Sequence, residues 1–289
     1  KKTIQKHFDT NFMNNYSQFK IGMIFFAKSA MIESTPTIKI ESLMSLATLE
    51  FAHFEYTGAD AEKFLQGQVT VDVRKLSDDY YQTTAICDLK GRIHFGLWLK
   101  RISAEQIFIV ITQDLAEEFA LHVKKFGAFS KATLQPSDAI YPVIIDGQAT
   151  FSTDENVKTE AQTWQKNAIE QGQAWITKDT SHLFQPQELR LHQRGGVDYD
   201  KGCYLGQEII ARLWFKAKPK HWLHLIQGQG DTPQVADNLN NDVQVVNTIA
   251  TENNVWLALV TAKPTALESL DVKILDLPEA LNGDVARPQ

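Results

Sequence analysis

The chain has 289 residues, 43% hydrophobic and 22% charged, the composition of a globular protein long enough for two packed units. Its 29 basic and 35 acidic residues leave a net charge of −6, which excludes a general attraction to nucleic acid or acidic membrane and confines any such contact to a local basic strip. Two cysteines, Cys87 and Cys203, stand far apart and outside any C-x-x-C pair, which excludes a disulfide scaffold and a four-thiolate metal or cluster site and favours a reducing, cytoplasmic setting.

Residues 1–45 read as a leader that packs on the body or is partly mobile. Its most apolar stretch, "IGMIFFAKSAMI" from Ile21, is interrupted by Lys28 and falls short of the ~18 residues a membrane span requires. The Asn-rich lead before it is unlike a secretory signal. The first helix is predicted in "TGADAEKFLQGQVT", with Asp60 placed to cap it, Glu62 in its first turn, Gly67 closing it, and Phe64 and Leu65 facing inward. "TTAICDLKGRIHFGLWLKRI" reads as two strands around a turn at Asp88–Gly91, because Ile93, Phe95, Leu97 and Leu99 alternate on one face. "QIFIVI" at 106–111 is a third strand. In "TQDLAEEFALHVKKFGA" the apolar residues Leu115, Phe119, Val123 and Phe126 take helical spacing, with acids early, lysines late and Gly127 at the end.

Strands followed by a helix, with the strand pattern renewed at "YPVII", indicate an α+β layer. Residues 146–160 read as a polar break without period, and "AQTWQKNAIEQG" as a second helix. After Arg212 come "HWLHLIQ", "VQVVNTI", "VWLALV" and "DVKILDL", short strands separated by turn residues, which predict a small antiparallel barrel or sandwich of ~70 residues.

The chemistry concentrates in "KGCYLGQE", Lys201 to Glu208. A free thiol is only a few per cent thiolate at neutral pH, and a cation such as Lys201 or Arg212 nearby would favour the thiolate. Gly202 and Gly206 free the backbone for a sharp turn. Local chemistry leaves two readings of Cys203 open, a reactive thiol and a buried cysteine beside a turn, and it leaves a Cys87–Cys203 pairing open as well. Farther on, "ARLWFKAKPKHW" interleaves Arg212, Lys216, Lys218 and Lys220 with Trp214, Phe215 and Trp222, a pattern that suits an RNA backbone or a polyanionic ligand, or a solvated linker. Trp164 and Glu170, in the second helix, offer a ring for stacking and a carboxylate for an aminopyrimidine edge; the plainer readings are a core tryptophan and a solvated glutamate.

Three strings, "FLQGQVTVDV" (64–73), "CDLKGR" (87–92) and "KGCYLGQEIIAR" (201–212), in this order, resemble the YgfZ family of folate-binding proteins, which is similar in fold to the T-protein (aminomethyltransferase) of the glycine cleavage system. The likeness runs from about residue 46 to the C-terminus. It implies an α+β folate-binding body of two interwoven subdomains over 46–212 and an antiparallel β-barrel over 213–289. It implies tetrahydrofolate or a one-carbon derivative as ligand, and a role in the upkeep of iron–sulfur enzymes, such as a tRNA methylthiotransferase. It places Phe51, Trp164 and Glu170 at the folate, with Phe51 standing where the family has a first tryptophan. Tyr204, Gln207, Glu208 and Arg212 fall on the signature beside the folate site, and Cys203 with Lys201 on its reactive thiol. The T-protein's catalytic aspartate falls at Phe95/Gly96, which argues against aminomethyl transfer by that route and leaves catalysis undecided. The stretch between Tyr141 and Trp164 is shorter than the family norm. A one-carbon transferase and a direct tRNA-binding factor using Arg212 to Lys220 stand as alternatives.

Overall fold

A computed structural model of the chain describes residues 49–287, so the leader lies outside the described residues. These residues fall within one compact unit. In chain order they form β1 (Phe51–Thr57), α1 (Ala61–Gln66), β2 (Gln82–Cys87), β3 (Ile93–Ser103), β4 (Gln106–Thr112), α2 (Ala116–Phe126), β5 (Thr133–Pro136), β6 (Tyr141–Ile145), β7 (Gln148–Ser152) and α3 (Ala161–Glu170). A long irregular segment follows. The chain then continues as α4 (Gln207–Phe215), β8 (Trp222–Gln229), β9 (Asn238–Asn240), β10 (Val243–Ala250), β11 (Val255–Ala262), α5 (Pro264–Leu267) and β12 (Lys273–Leu275).

The first sheet is antiparallel, in the order β2-β3-β4-β1-β5. The β2–β3 turn forms where expected: the Asp88 carboxylate accepts from the amides of Lys90 and Arg92, and Gly91 takes a φ of 70°. The alternation in β3 also stands, with Ile93, Phe95, Leu97 and Leu99 all buried. Two readings change in detail. Asp60 precedes α1, but its carboxylate accepts from the Lys131 amide and not from the helix. Phe126, at the end of α2, is exposed.

The polar break at 146–160 conceals a strand. Gln148–Ser152 pairs with β6 in a hairpin across Asp146–Gly147, both at positive φ. Only Ala149 and Phe151 of β7 point inward, too short an alternation to stand out among its polar neighbours.

The second sheet runs β12-β8-β11-β10-β9, with β9 unforeseen at Asn238–Asn240. Its order has two edges, so the described pairings do not make a closed barrel. Leu225, Leu257 and Leu259 on one face join the core that also contains β1–β4, whereas Ile226, Trp256, Ala258 and Val260 on the other face build a second core. Burial on both faces is why "VWLALV" reads as an unbroken apolar run.

Candidate functional site

The three strings that carry the resemblance meet in space. Lys201 buries its ammonium beneath the first of them and donates to the carbonyls of Val69 (2.6 Å) and Val71 (2.8 Å), with the Tyr204 ring 4.8 Å away. The Leu205 amide donates to Gly67, and that of Asp198 to Thr70. Gly206, at φ 80°, caps α4 against the second string so closely that a Cβ there would stand 2.5 Å from the Asp88 carbonyl oxygen. Gly91 in turn abuts Ile209 and Ile210 of α4.

Lys201 is committed to the Val69 and Val71 carbonyls, and no hydrogen bond joins it to Cys203. Cys203 itself is exposed and free. Cys87 is free and fully buried, and burial pushes its thiol far above the usual range. Burial lowers the Lys201 ammonium to about 8 and raises the Tyr204 phenol. Along α4, Gln207 is half-buried, while Glu208 and Arg212 are exposed.

Phe51 and Trp164 are brought together, ring centroids 5.1 Å apart, with Phe151 4.7 Å from Phe51. Trp164 is buried, and its indole N–H donates to the Thr150 carbonyl. Glu170 lies elsewhere: it is exposed at the end of α3, with Lys166 at 3.8 Å.

The aromatic group continues inward through Trp98 and Trp175, 5.7 Å from Phe51 and 5.9 Å from Trp164 respectively. These two indoles help line a central cavity between β2–β3 and residues 173–194, with Thr83, Thr84, Gln173 and Arg194 as its polar wall. The Trp98 Nε1–H and the Arg194 Nε–H are buried there without a partner. The other Arg194 nitrogens are used, donating to the Gln171 carbonyl and to Gln173 Oε1, both at 2.9 Å. An unpartnered buried donor costs about 1–3 kcal/mol, so two of them on residues that line one cavity call for an acceptor there. The cavity volume is about 30 Å³, room for about one water.

Two links hold this wall. Thr84 hydrogen-bonds Thr70 and the Val71 amide, joining the cavity to the first string. Asn247 of β10, fully buried, accepts from the Trp175 amide and donates to the Trp175 carbonyl, both at 3.0 Å. Phe95 is buried against Phe119, and Gly96 abuts Ile176, so no carboxylate stands at those positions. Sequence reasoning missed Trp98, Gln173 and Arg194. Trp98 shares an ordinary strand with eight other buried or half-buried residues, and Arg194 lies in a segment without periodicity.

The basic strip divides. Lys216 and Lys218 line an open cleft beside Trp214 and Phe215, whereas Lys220 is exposed outside it. Among the described residues no cluster of three His, Cys, Asp or Glu is arranged to hold a metal, and no helix is long and apolar enough to cross a membrane.

No family model matches the chain. It is 30% identical over 256 residues to "tRNA-modifying protein YgfZ" of Escherichia coli O157:H7 (strain EC4115 / EHEC), covering 71% of this chain and 78% of that protein. Because 71% of 289 residues falls well short of 256, part of the relative's aligned length has no counterpart here. An uncharacterized protein of Haemophilus influenzae (strain ATCC 51907 / DSM 11121 / KW20 / Rd) is 29% identical over 205 residues, covering 64% of this chain and 73% of its own length. Among solved structures, the glycine cleavage system aminomethyltransferase T of Bartonella henselae aligns with a TM-score of 0.58 at 11% identity, covering 78% of this chain and 79% of that one.

Proposed function

This chain belongs to the YgfZ family of tRNA-modifying proteins, and we propose from that premise that it binds a reduced folate at the central cavity and supports tRNA modification by keeping iron–sulfur enzymes active, with Cys203 as its exposed working thiol. The observation that carries the folate reading is the pair of unpartnered donors, Trp98 Nε1–H and Arg194 Nε–H, in a cavity walled by two indoles. A reduced pterin offers what they lack, a planar pyrimidine half with carbonyl and ring-nitrogen acceptors along its edge. Folate, when bound, would supply a one-carbon carrier. Trp98 and Trp175 would flank the ring, with Phe51 and Trp164 backing them, and Arg194 and Gln173 would hold its polar edge.

The chemistry of the wall fits; its volume is that of a closed state, since ligand pockets hold roughly 300–1,000 Å³. Loading therefore requires the seam between β3 and residues 173–176, where Ile176 rests on Gly96, to open. One-carbon transfer gains no support here, because the cavity's described lining contains no carboxylate to take a proton.

Calorimetric titration with tetrahydrofolate tests the ligand. The full chain should bind, and Trp98→Phe, which removes the N–H and trims the indole to a single ring, should weaken binding at least about two- to tenfold. Absence of binding to the unaltered chain would overturn the folate reading. For the thiol, Cys203→Ala should leave folate affinity intact and fail to restore tRNA methylthiolation in a strain lacking its family member. Full restoration would remove Cys203 from the mechanism.

A further inference from the structure

At the far end of α4 from Cys203, Trp214, Phe215, Lys216, Lys218 and Arg287 surround an open cleft of about 680 Å³. The sequence places Arg287 some seventy residues beyond the others, and the fold brings it to the Phe215 ring, with the guanidinium carbon 4.9 Å from the ring centroid. Trp214 is fixed: it stacks on Tyr199 at 4.3 Å with 5° between the planes, and the edge of His192 packs 5.4 Å away. Phe215 is 48% exposed. An exposed aromatic ring framed by three cations, on a chain of net charge −6, is a local reversal of the protein's field and not a stray apolar residue.

We infer that this cleft is a docking site for unpaired nucleotides of an RNA, with a base stacked on Phe215 and the flanking phosphates held by Lys216, Lys218 and Arg287. Stacking suits a single strand, whose bases have free faces, and the cations suit its backbone. The Arg287–Phe215 contact holds a planar guanidinium where it can stack on a base or fork a phosphate. Asp284 is the opposing charge, its Oδ2 3.9 Å from Lys218 Nζ, and it has to be outcompeted by the incoming phosphate. A duplex hides its base faces, and a membrane surface would favour a flat or convex apolar patch over a concave one. The inference is independent of the folate reading, since none of these residues lines the central cavity.

Fluorescence anisotropy with the full chain and a labelled RNA strand of roughly 12 nucleotides tests it, against duplex RNA of equal length and against anionic phospholipid vesicles. The strand should bind at least about tenfold more tightly than the duplex. Phe215→Ala should weaken strand binding about tenfold and Phe215→Tyr should restore it, with thermal stability unchanged because the ring is exposed. Replacing Lys216, Lys218 and Arg287 with glutamine should flatten the dependence of log affinity on log salt by about 2, at ~0.7 per phosphate contact. Asp284→Asn should strengthen binding. Equal affinity for duplex, indifference to Phe215→Ala, or binding to vesicles without binding to RNA would each overturn the inference. Tetrahydrofolate titrations of the same variants separate the two proposals, since loss of either ligand alone condemns only its own site.

Discussion

Lys201 is a buried ammonium without a carboxylate hydrogen-bonded to it. Its proton inventory differs between folded and unfolded chain because burial lowers its pKa from about 10.5 to about 8, while the distant charges of Asp72 and Asp198 oppose that shift only in part. Between those two values the unfolded chain binds more protons, so stability contributed at this position rises with pH and is least below pH 8. Methionine has a similar reach and no charge. The stability advantage of the natural chain over Lys201→Met should therefore widen by roughly 2 kcal/mol between pH 7 and pH 10. Urea unfolding at the two pH values measures it, and a difference that is flat or shrinks would mean that the ammonium is solvated. What the structure shows of Lys201 is that it ties the loop to the first string through the Val69 and Val71 carbonyls.

At the level of elements, the two glycines of "KGCYLGQE" look equivalent in sequence and are not. Gly206 has a φ of 80° and no room for a Cβ against the Asp88 carbonyl, whereas a Cβ on Gly202 would meet nothing within 4 Å. Gly206→Ala should cost more than about 2 kcal/mol, and Gly202→Ala less than about 0.5 kcal/mol. Chemical denaturation of both variants decides it, and equal costs would refute the packing of α4 on the β2–β3 turn. The contrast shows what could be read beforehand. Strands β2 to β4 and helices α2 and α3 follow local hydrophobic patterning, so Phe95, Leu97 and Phe119 announced their elements, whereas β1, buried only at His53 and Tyr56, did not. The junction of the three strings was legible only as a resemblance. Its physical cause is that a glycine at 206 meets a carbonyl at 88, a separation no local pattern encodes. The same holds for Arg194 at the cavity and Arg287 at Phe215: each matters for what lies many residues away. Strand β7 was lost for a different reason, since only two of its five residues are buried.

Across the whole molecule, three histidines in different parts of the unit are held neutral. His122 on α2, His192 in the irregular segment and His224 on β8 are each lowered to about 4, mainly by burial. Their folded values lie below the ordinary 6.5, so the unfolded chain takes up more protons on acidification. Their contribution to stability is complete above pH 6.5 and is lost as pH falls toward 4. At pH 5 each loses at most about 2 kcal/mol, and partial solvent screening brings the figure down to about 1. Three such losses are still a sizeable share of the ~5–15 kcal/mol that holds a typical domain folded. Asp72 does not offset them in this range, because the Arg74 side chain holds its carboxyl at about 2. The protein should therefore weaken sharply between pH 6.5 and 5, where most carboxylates are still ionised. The urea midpoint should fall across that interval, and a variant with glutamine at 122, 192 and 224 should show a much shallower fall even if its stability at pH 7.5 is lower. An equally steep fall in that variant would place the acid sensitivity in other groups. His192 packs beneath Trp214, so acidification should also loosen the floor of the cationic cleft, and RNA binding should decline with the fold and not ahead of it.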